Sequence, residues 1–235
     1  MFSIIGRNAA IESLNANRVN CLYLVIGFKD ERILNLAKVK NIKINYVEKS
    51  VLDSMAHKGV HQGVVADVKP FKTYSLTDLI YSRSNDKKSV IVMLDELNDP
   101  HNLGAILRSC DIFDVTGIVY KKRGQVSLND TVAKTSAGAI NYVKCCEVTN
   151  LSQSIETLKK AGYWVVGLAG EATQDLKSMP NDVPLVVVIG SEGNGISRLV
   201  REHCDFLVKI PMFGHVNCLN ASVACSIVLY QIRNK

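Results

Sequence analysis

The spacing of apolar residues changes several times in the first seventy positions. Helical spacing over 7–15 gives way to an alternating run over 21–26, then a helix over 31–38 and a strand over 42–47. A short helix near 51–55 and a strand over 63–68 complete what reads as a small α/β unit. Next come Lys69-Pro70-Phe71-Lys72-Thr73-Tyr74-Ser75 and the polar run Ser82-Arg83-Ser84-Asn85-Asp86-Lys87-Lys88. Turn residues and clustered charge ahead of a strongly apolar segment mark a boundary. We therefore expect a front domain over 1–70, a linker over 71–88 and a second domain over 89–235.

In that second domain strand and helix patterns alternate. Strands are predicted at 90–94, 117–120, 142–147, 164–168, 185–189 and 206–210, and helices at 103–113, near 132–138, and at 151–161, 196–203 and 219–233. Strands separated by helices predict a mainly parallel sheet covered on both faces. The last helix has almost no polar face, since Val223, Ala224, Ile227, Val228, Leu229 and Tyr230 surround its axis. Such a helix needs cover on several sides, here the chain's own sheet plus a second subunit.

The 235 residues, 47% of them hydrophobic, suffice for a full core. The longest apolar stretch, 183–189, is interrupted by Pro184 and falls well below the roughly 18 residues a membrane span needs. The opening Met1-Phe2-Ser3-Ile4-Ile5-Gly6-Arg7-Asn8 places charge where a secretory signal is apolar, so a cytoplasmic location is expected. The 7 cysteines include no CxxC pair and lie mostly in apolar segments, as reduced buried thiols do. Charge is uneven: residues 1–75 carry 11 Lys and Arg against 6 Asp and Glu, whereas residues 89–235 carry 14 of each. A basic front piece on a neutral second piece suggests that the front meets a polyanion, although solvated surface gives the same pattern.

Three segments concentrate polar chemistry. Leu94-Asp95-Glu96-Leu97-Asn98-Asp99-Pro100-His101-Asn102-Leu103-Gly104-Ala105-Ile106-Leu107-Arg108 reads as strand, tight turn and helix. Asn102 stands where an N-cap belongs, Gly104 permits a close approach, and Arg108 can project near the same edge. A capped helix with one surface arginine accounts for this segment equally well. Val186-Val187-Val188-Ile189-Gly190-Ser191-Glu192-Gly193-Asn194-Gly195-Ile196 is a buried strand entering a glycine-rich turn with a carboxylate inside it. Its GxxGxG spacing differs from the dinucleotide fingerprint GxGxxG, and it lacks the Gly-Lys-Ser/Thr ending of a phosphate loop. In Ile210-Pro211-Met212-Phe213-Gly214-His215-Val216-Asn217-Cys218-Leu219-Asn220-Ala221-Ser222, Asn220 and Ser222 are either simple caps or site residues.

In this order and at these separations, the three segments resemble the signature motifs of the SpoU (TrmH) family of RNA 2′-O-methyltransferases, within the SPOUT superfamily. The opening Ile5-Gly6-Arg7-Asn8-Ala9-Ala10 and the segments His61-Gln62-Gly63-Val64-Val65-Ala66-Asp67-Val68, Lys134-Thr135-Ser136-Ala137-Gly138-Ala139, Val148-Thr149-Asn150-Leu151 and Gly167-Leu168-Ala169-Gly170-Glu171 are similar to its RlmB-like branch. That branch methylates a guanosine ribose of large-subunit ribosomal RNA. The resemblance implies an α/β fold: a C-terminal SPOUT-type domain with a deep trefoil knot and mainly parallel sheet, plus a small N-terminal α/β RNA-binding domain. It implies S-adenosyl-L-methionine as cofactor, held mostly by backbone groups near Leu168, Gly170, Gly190, Gly195, Ile210, Met212 and Leu219. It also implies structured RNA, most readily ribosomal RNA, as substrate, and a homodimer through the catalytic domain with the active site at its interface.

By motif position the resemblance assigns Asn102, Arg108, Glu192, Cys218 and Asn220 to catalysis. A ribose hydroxyl is a weak nucleophile until its proton leaves. A guanidinium is effectively never deprotonated, so Arg108 suits stabilising the developing alkoxide, with Asn102, Glu192 and Asn220 fixing the arginine and ribose in attack geometry. Cys218 departs from the family's usual serine, and a thiol is a weaker hydrogen-bond partner. His203, Cys204, His215 and Cys218 offer zinc-ligand types but lack paired knuckles, so no metal is expected. His61 and Lys58 are candidate RNA contacts or parts of a solvated loop. A tRNA ribose methyltransferase and a non-catalytic RNA-binding or ribosome-assembly protein are the competing readings.

Overall fold

A computed structural model describes residues 2–57, 59–82, 89–180, 182–216 and 218–234. The chain divides into two compact units, Met1–Phe71 and Lys72–Lys235.

The first unit runs β1 (Phe2–Ile5), α1 (Arg7–Asn15), β2 (Val19–Val25), α2 (Glu31–Val39), β3 (Lys43–Val47), α3 (Lys49–Met55) and β4 (Val64–Val68). Its sheet order is β1-β4-β2-β3, with β4 antiparallel to β1 and β2, and β2 parallel to β3. Strand β1 is absent from the pattern reading, because four residues are too few to establish a period; pairing with Val65–Val68 makes it a strand. Leu14, Leu22, Leu24, Ile33, Val64 and Ala66 pack between the sheet and helices α1 and α2, and Leu52, Ala56 and Val65 pack under α3. The His61 ring is buried: Nε2 lies 2.9 Å from Asp53 Oδ1, and Nδ1 accepts the Gly63 N–H at 3.0 Å. Its proton therefore sits on Nε2, and the ring secures a turn instead of reaching for RNA. Gln62 Oε1 accepts the first N–H of α1, from Arg7. Lys58 lies outside the described residues.

The second unit contains α4 (Leu76–Tyr81), β5 (Val90–Leu94), α5 (Pro100–Ile112), β6 (Gly117–Lys121), α6 (Asp130–Thr135), β7 (Cys145–Val148), α7 (Leu151–Lys160), β8 (Trp164–Leu168) and β9 (Gln174–Asp175). It continues with β10 (Leu185–Ile189), α8 (Arg198–Glu202), β11 (Phe206–Lys209) and α9 (Ala221–Arg233). The seven-stranded sheet has the order β7-β6-β5-β10-β8-β11-β9, with all its paired neighbours parallel. Strands β5 and β10 lie side by side and are buried at every position, which explains their unbroken Val, Ile and Leu runs. Each such side chain contributes roughly 1.5–3 kcal/mol on burial.

Part of the expected linker is helical. Ser75 and Asp78 form a reciprocal capping box on α4, and Leu79 enters the core with Ile91 and Val119. Six residues with one fully buried position leave no periodic trace in sequence; residues 83–88 of that stretch lie outside the described residues. Helix α6 stops at Thr135, short of the expected 138, because Ala137 and Gly138 adopt φ of 50° and 92°. None of the described helices is long and apolar enough to cross a membrane.

Candidate active site

The carboxyl ends of β8, β10 and β11 open into a cleft of about 290 Å³. Crevices at the C-terminal edge of a parallel sheet are where such folds bind ligands. Leu168 and Gly170 line it after β8, Gly190 and Gly195 after β10, and Ile210, Met212 and Leu219 after β11. The positions expected to hold a cofactor thus converge on one space from three separate loops.

The loop after β10 is closed by its own backbone. Ser191 and Gly195 exchange two hydrogen bonds, at 3.0 and 2.9 Å, leaving Glu192, Gly193 and Asn194 at the tip. This closure requires a bare position at 190: a Cβ there would stand 2.1 Å from the Gly195 carbonyl carbon. No L side chain fits without opening the loop.

Glu192 is the centre of a polar cluster assembled from three distant segments. Its Oε1 accepts hydrogen bonds from Asn102 Nδ2 at 2.8 Å and Asn220 Nδ2 at 2.7 Å. Asn220 Nδ2 also donates to Asn102 Oδ1 at 2.8 Å. Asn102 is not the N-cap the sequence suggested. Asp99 caps α5 by accepting the His101 N–H, Pro100 takes the first helical position, and Asn102 is buried within the first turn. Asn220 does both jobs: its Oδ1 caps α9 by accepting from Ser222 N at 2.9 Å, while its amide nitrogen faces Glu192. Glu192 is exposed, so solvent reduces each of these bonds below the about 1.5–3 kcal/mol of a charged hydrogen bond, but the three groups, each bonded to the other two, define one position for the carboxylate on its glycine loop.

Arg108 stands apart from this cluster. It is exposed on α5 and has no hydrogen bond or ion pair among the described residues. Cys218 is exposed and lines the cleft beside Leu219. The close approach at Gly104 comes from within the chain: a Cβ there would lie 1.8 Å from Thr135 Oγ1 on α6.

Several cleft residues were not expected from sequence. Arg201 of α8 pairs with Glu171, and both line the cleft together with Lys209. The Arg201 Nε is buried and has no hydrogen-bond partner among the described residues. Glu171 lay in a segment that carried the family resemblance, but Arg201 and Lys209 read as ordinary helix and strand charges. Apolar walls from Leu168, Ile189 and Ile210, exposed loop backbone and charges of both signs suit a ligand with one flat apolar part and one zwitterionic part.

Among the described residues no group of three or more His, Cys, Asp or Glu is placed to hold a metal ion. His203 Nδ1 lies 2.8 Å from Glu156, and burial pushes the Cys204 thiol up to about 12.

Comparison with known proteins shows the family. The SpoU rRNA methylase family model matches residues 89–230, and the model for RNA 2′-O ribose methyltransferase substrate binding matches residues 3–74. A TrmH family tRNA/rRNA methyltransferase of Staphylococcus haemolyticus is 44% identical, over 99% of this chain and 95% of that protein. The SpoU methyltransferase AviRb from Streptomyces viridochromogenes, solved in complex with AdoMet, matches 99% of this chain and 89% of its own, with TM-score 0.77 at 21% identity. The A. aeolicus TrmH/SpoU tRNA modifying enzyme matches 68% of this chain and 81% of its own, with TM-score 0.57 at 29% identity. With both family models matched and a near full-length relative at this identity, the chain belongs to the SpoU (TrmH) family of RNA methyltransferases.

Proposed function

We propose that this methyltransferase uses S-adenosylmethionine to methylate a ribose 2′-hydroxyl, that of a guanosine in large-subunit ribosomal RNA, and that it works as a homodimer. The observation that carries the reading is the cluster of Asn102 and Asn220 on one oxygen of Glu192, at a cleft lined by loop backbone.

The cleft residues fit the cofactor's chemistry. Leu168, Ile189 and Ile210 provide apolar surface for an adenine, and Glu171, Arg201 with its unpartnered Nε, and Lys209 provide charge for an amino-acid end. S-adenosylmethionine, when bound, supplies an electrophilic methyl group. The chain's own residues prepare the nucleophile. Two amides hold Glu192 Oε1, leaving Oε2 to accept the hydrogen bond of the target hydroxyl, orient its oxygen and take up its proton as that oxygen bonds to the methyl carbon. Arg108 keeps its proton and stabilises negative charge on that oxygen. At about 4 Å and an effective dielectric of about 20 the pair gains on the order of 4 kcal/mol, or roughly three decades of rate.

A second copy completes the site in this reading. Arg108 precedes Ser109, whose hydroxyl lies 2.7 Å from that of Ser226 on α9. Beside Ser226, Val223, Ile227 and Tyr230 leave an apolar stripe exposed on α9. Ribosomal RNA is favoured over tRNA because the substrate-binding model covers residues 3–74, whereas the tRNA modifying enzyme of A. aeolicus matches only 68% of the chain. The basic balance of residues 1–75 points the same way.

The test is a map of 2′-O-methyl groups on ribosomal RNA and tRNA from cells with and without the protein. Loss of one ribosomal guanosine mark supports the reading, and loss of a tRNA mark replaces it. No lost mark, with no transfer of labelled methyl in vitro, identifies a non-catalytic RNA-binding protein.

A further inference from the structure

Where β5 and β10 end their pairing, at Leu94 and Ile189, both chains leave the sheet, one toward Asn102 and the other into the glycine loop. Asp95 is the first residue beyond β5. Its backbone N–H donates to the Ile189 carbonyl at 2.9 Å, immediately before the loop. Its side-chain Oδ2 accepts the Ser197 N–H at 2.8 Å, immediately after the loop. A single residue therefore grips both ends of 190–196, the segment that Ser191 and Gly195 close internally and that carries Glu192.

The side chain is fully buried. Its other oxygen, Oδ1, has no hydrogen bond among the described residues, and Lys121 Nζ lies 3.6 Å away while also lying 3.6 Å from Glu96. Burying a carboxylate is costly unless its partners offset the loss of water. An apolar side chain fills such a space without that cost, so packing alone does not account for an aspartate. A need for an acceptor at the Ser197 N–H, which has no other partner among the described residues, does. Covalent continuity from Asp95 to Asn102 makes the same residue a link between the segment that carries Asn102 and the loop that carries Glu192.

We propose that Asp95 is a positioning residue which, through its bond to Ser197, fixes the glycine loop in its cofactor-receiving shape and holds Glu192 within reach of Asn102 and Asn220. The proposal rests on the reading of the cleft as the S-adenosylmethionine site. Ordering the loop in advance removes an entropic cost from cofactor binding.

The experiment compares full-length wild type, Asp95→Ala, Asp95→Asn and Ser197→Pro. S-adenosylmethionine affinity is measured by calorimetry, hydrogen exchange of the peptide spanning 190–197 by mass spectrometry, and RNA affinity by filter binding. Asp95→Ala is expected to weaken S-adenosylmethionine binding at least tenfold and to speed exchange in the loop by a similar factor, with RNA affinity unchanged. Asp95→Asn is expected to recover most of the affinity, because an amide oxygen still accepts from Ser197. Ser197→Pro deletes the donor from the opposite side at φ −59°, a value a proline ring accepts, and decides the matter if Asp95→Ala does not fold. Affinity within twofold of wild type together with unchanged loop exchange in a folded Asp95→Ala overturns the proposal. So does an Asp95→Asn variant as impaired as alanine, since charge toward Lys121 is then what matters. Failure of wild type to bind S-adenosylmethionine overturns the reading of the cleft instead, and the exchange measurement still decides whether Asp95 holds the loop.

Discussion

Arg108 offers a permanent positive charge on a planar fork, and the two properties separate experimentally. Arg108→Lys keeps the charge and loses the fork. We expect kcat to fall about 10²–10³-fold with S-adenosylmethionine affinity unchanged, because the loss concerns charge that appears only in the transition state. A lysine variant near wild-type speed means that the fork contributes nothing. Cys218 makes a second case. Burial pushes Cys145 and Cys204 up to about 12 and Cys146 up to about 11, and raises Cys110 as well, so these thiols stay protonated and unreactive at pH 8. Cys218 is exposed in the cleft. Iodoacetamide followed by peptide mass spectrometry should label Cys218 well ahead of those four, and saturating S-adenosylmethionine should slow that labelling severalfold. Equal labelling with and without cofactor places the ligand elsewhere.

At the scale of elements, helices α5 and α9 each deliver an amide to Glu192 from the first turn or cap. Both ends were legible as polar starts to apolar helices, but the identity of the α5 cap was not. Asp99, Asn102 and the intervening proline all satisfy local capping preferences, and only the positions of Glu192 and Asn220 show which side chain turns inward. The exposed stripe on α9 gives a direct test of assembly. Tyr230 is 58% exposed, its ring centroid 6.5 Å from that of Phe113 with the two planes at 75°. Sedimentation equilibrium should show a dimer for wild type and a monomer for Tyr230→Glu, since a charge in an apolar contact is left unpaired. Methyl transfer should fall at least tenfold in the monomer. A monomeric wild type with full activity removes the second copy from the proposed mechanism.

For the molecule as a whole, division of labour follows from the two cores. The first unit has its own buried cluster and carries exposed Lys29, Arg32, Lys38, Lys43 and Lys49. Not every cation there is free for RNA: Arg18 is buried, bonds the Lys69 carbonyl at 2.9 Å and stacks on Phe71 at 3.4 Å. Removing residues 1–71 should weaken RNA binding at least tenfold and flatten its dependence on salt, because each lost phosphate contact lowers the slope of log K against log salt by about 0.9 for duplex. S-adenosylmethionine affinity should stay within twofold. An unchanged salt slope means that the basic balance of the first unit is only solvated surface.

Periodicity alone carried the parallel architecture, because strands buried on both faces leave unbroken apolar runs that survive in a linear reading. The glycine loop was visible for a similar reason: Gly190 answers a local steric demand, and so leaves a local mark. Short elements such as β1 and α4 escaped, since pairing and a single buried leucine define them rather than any period. The cluster of Asn102, Glu192 and Asn220 joins positions 90 and 118 residues apart. Hydrogen bonds at 2.7–2.8 Å depend on coordinates that chain order does not contain, and the same holds for Asp95, whose two grips exist only because β5 and β10 end side by side.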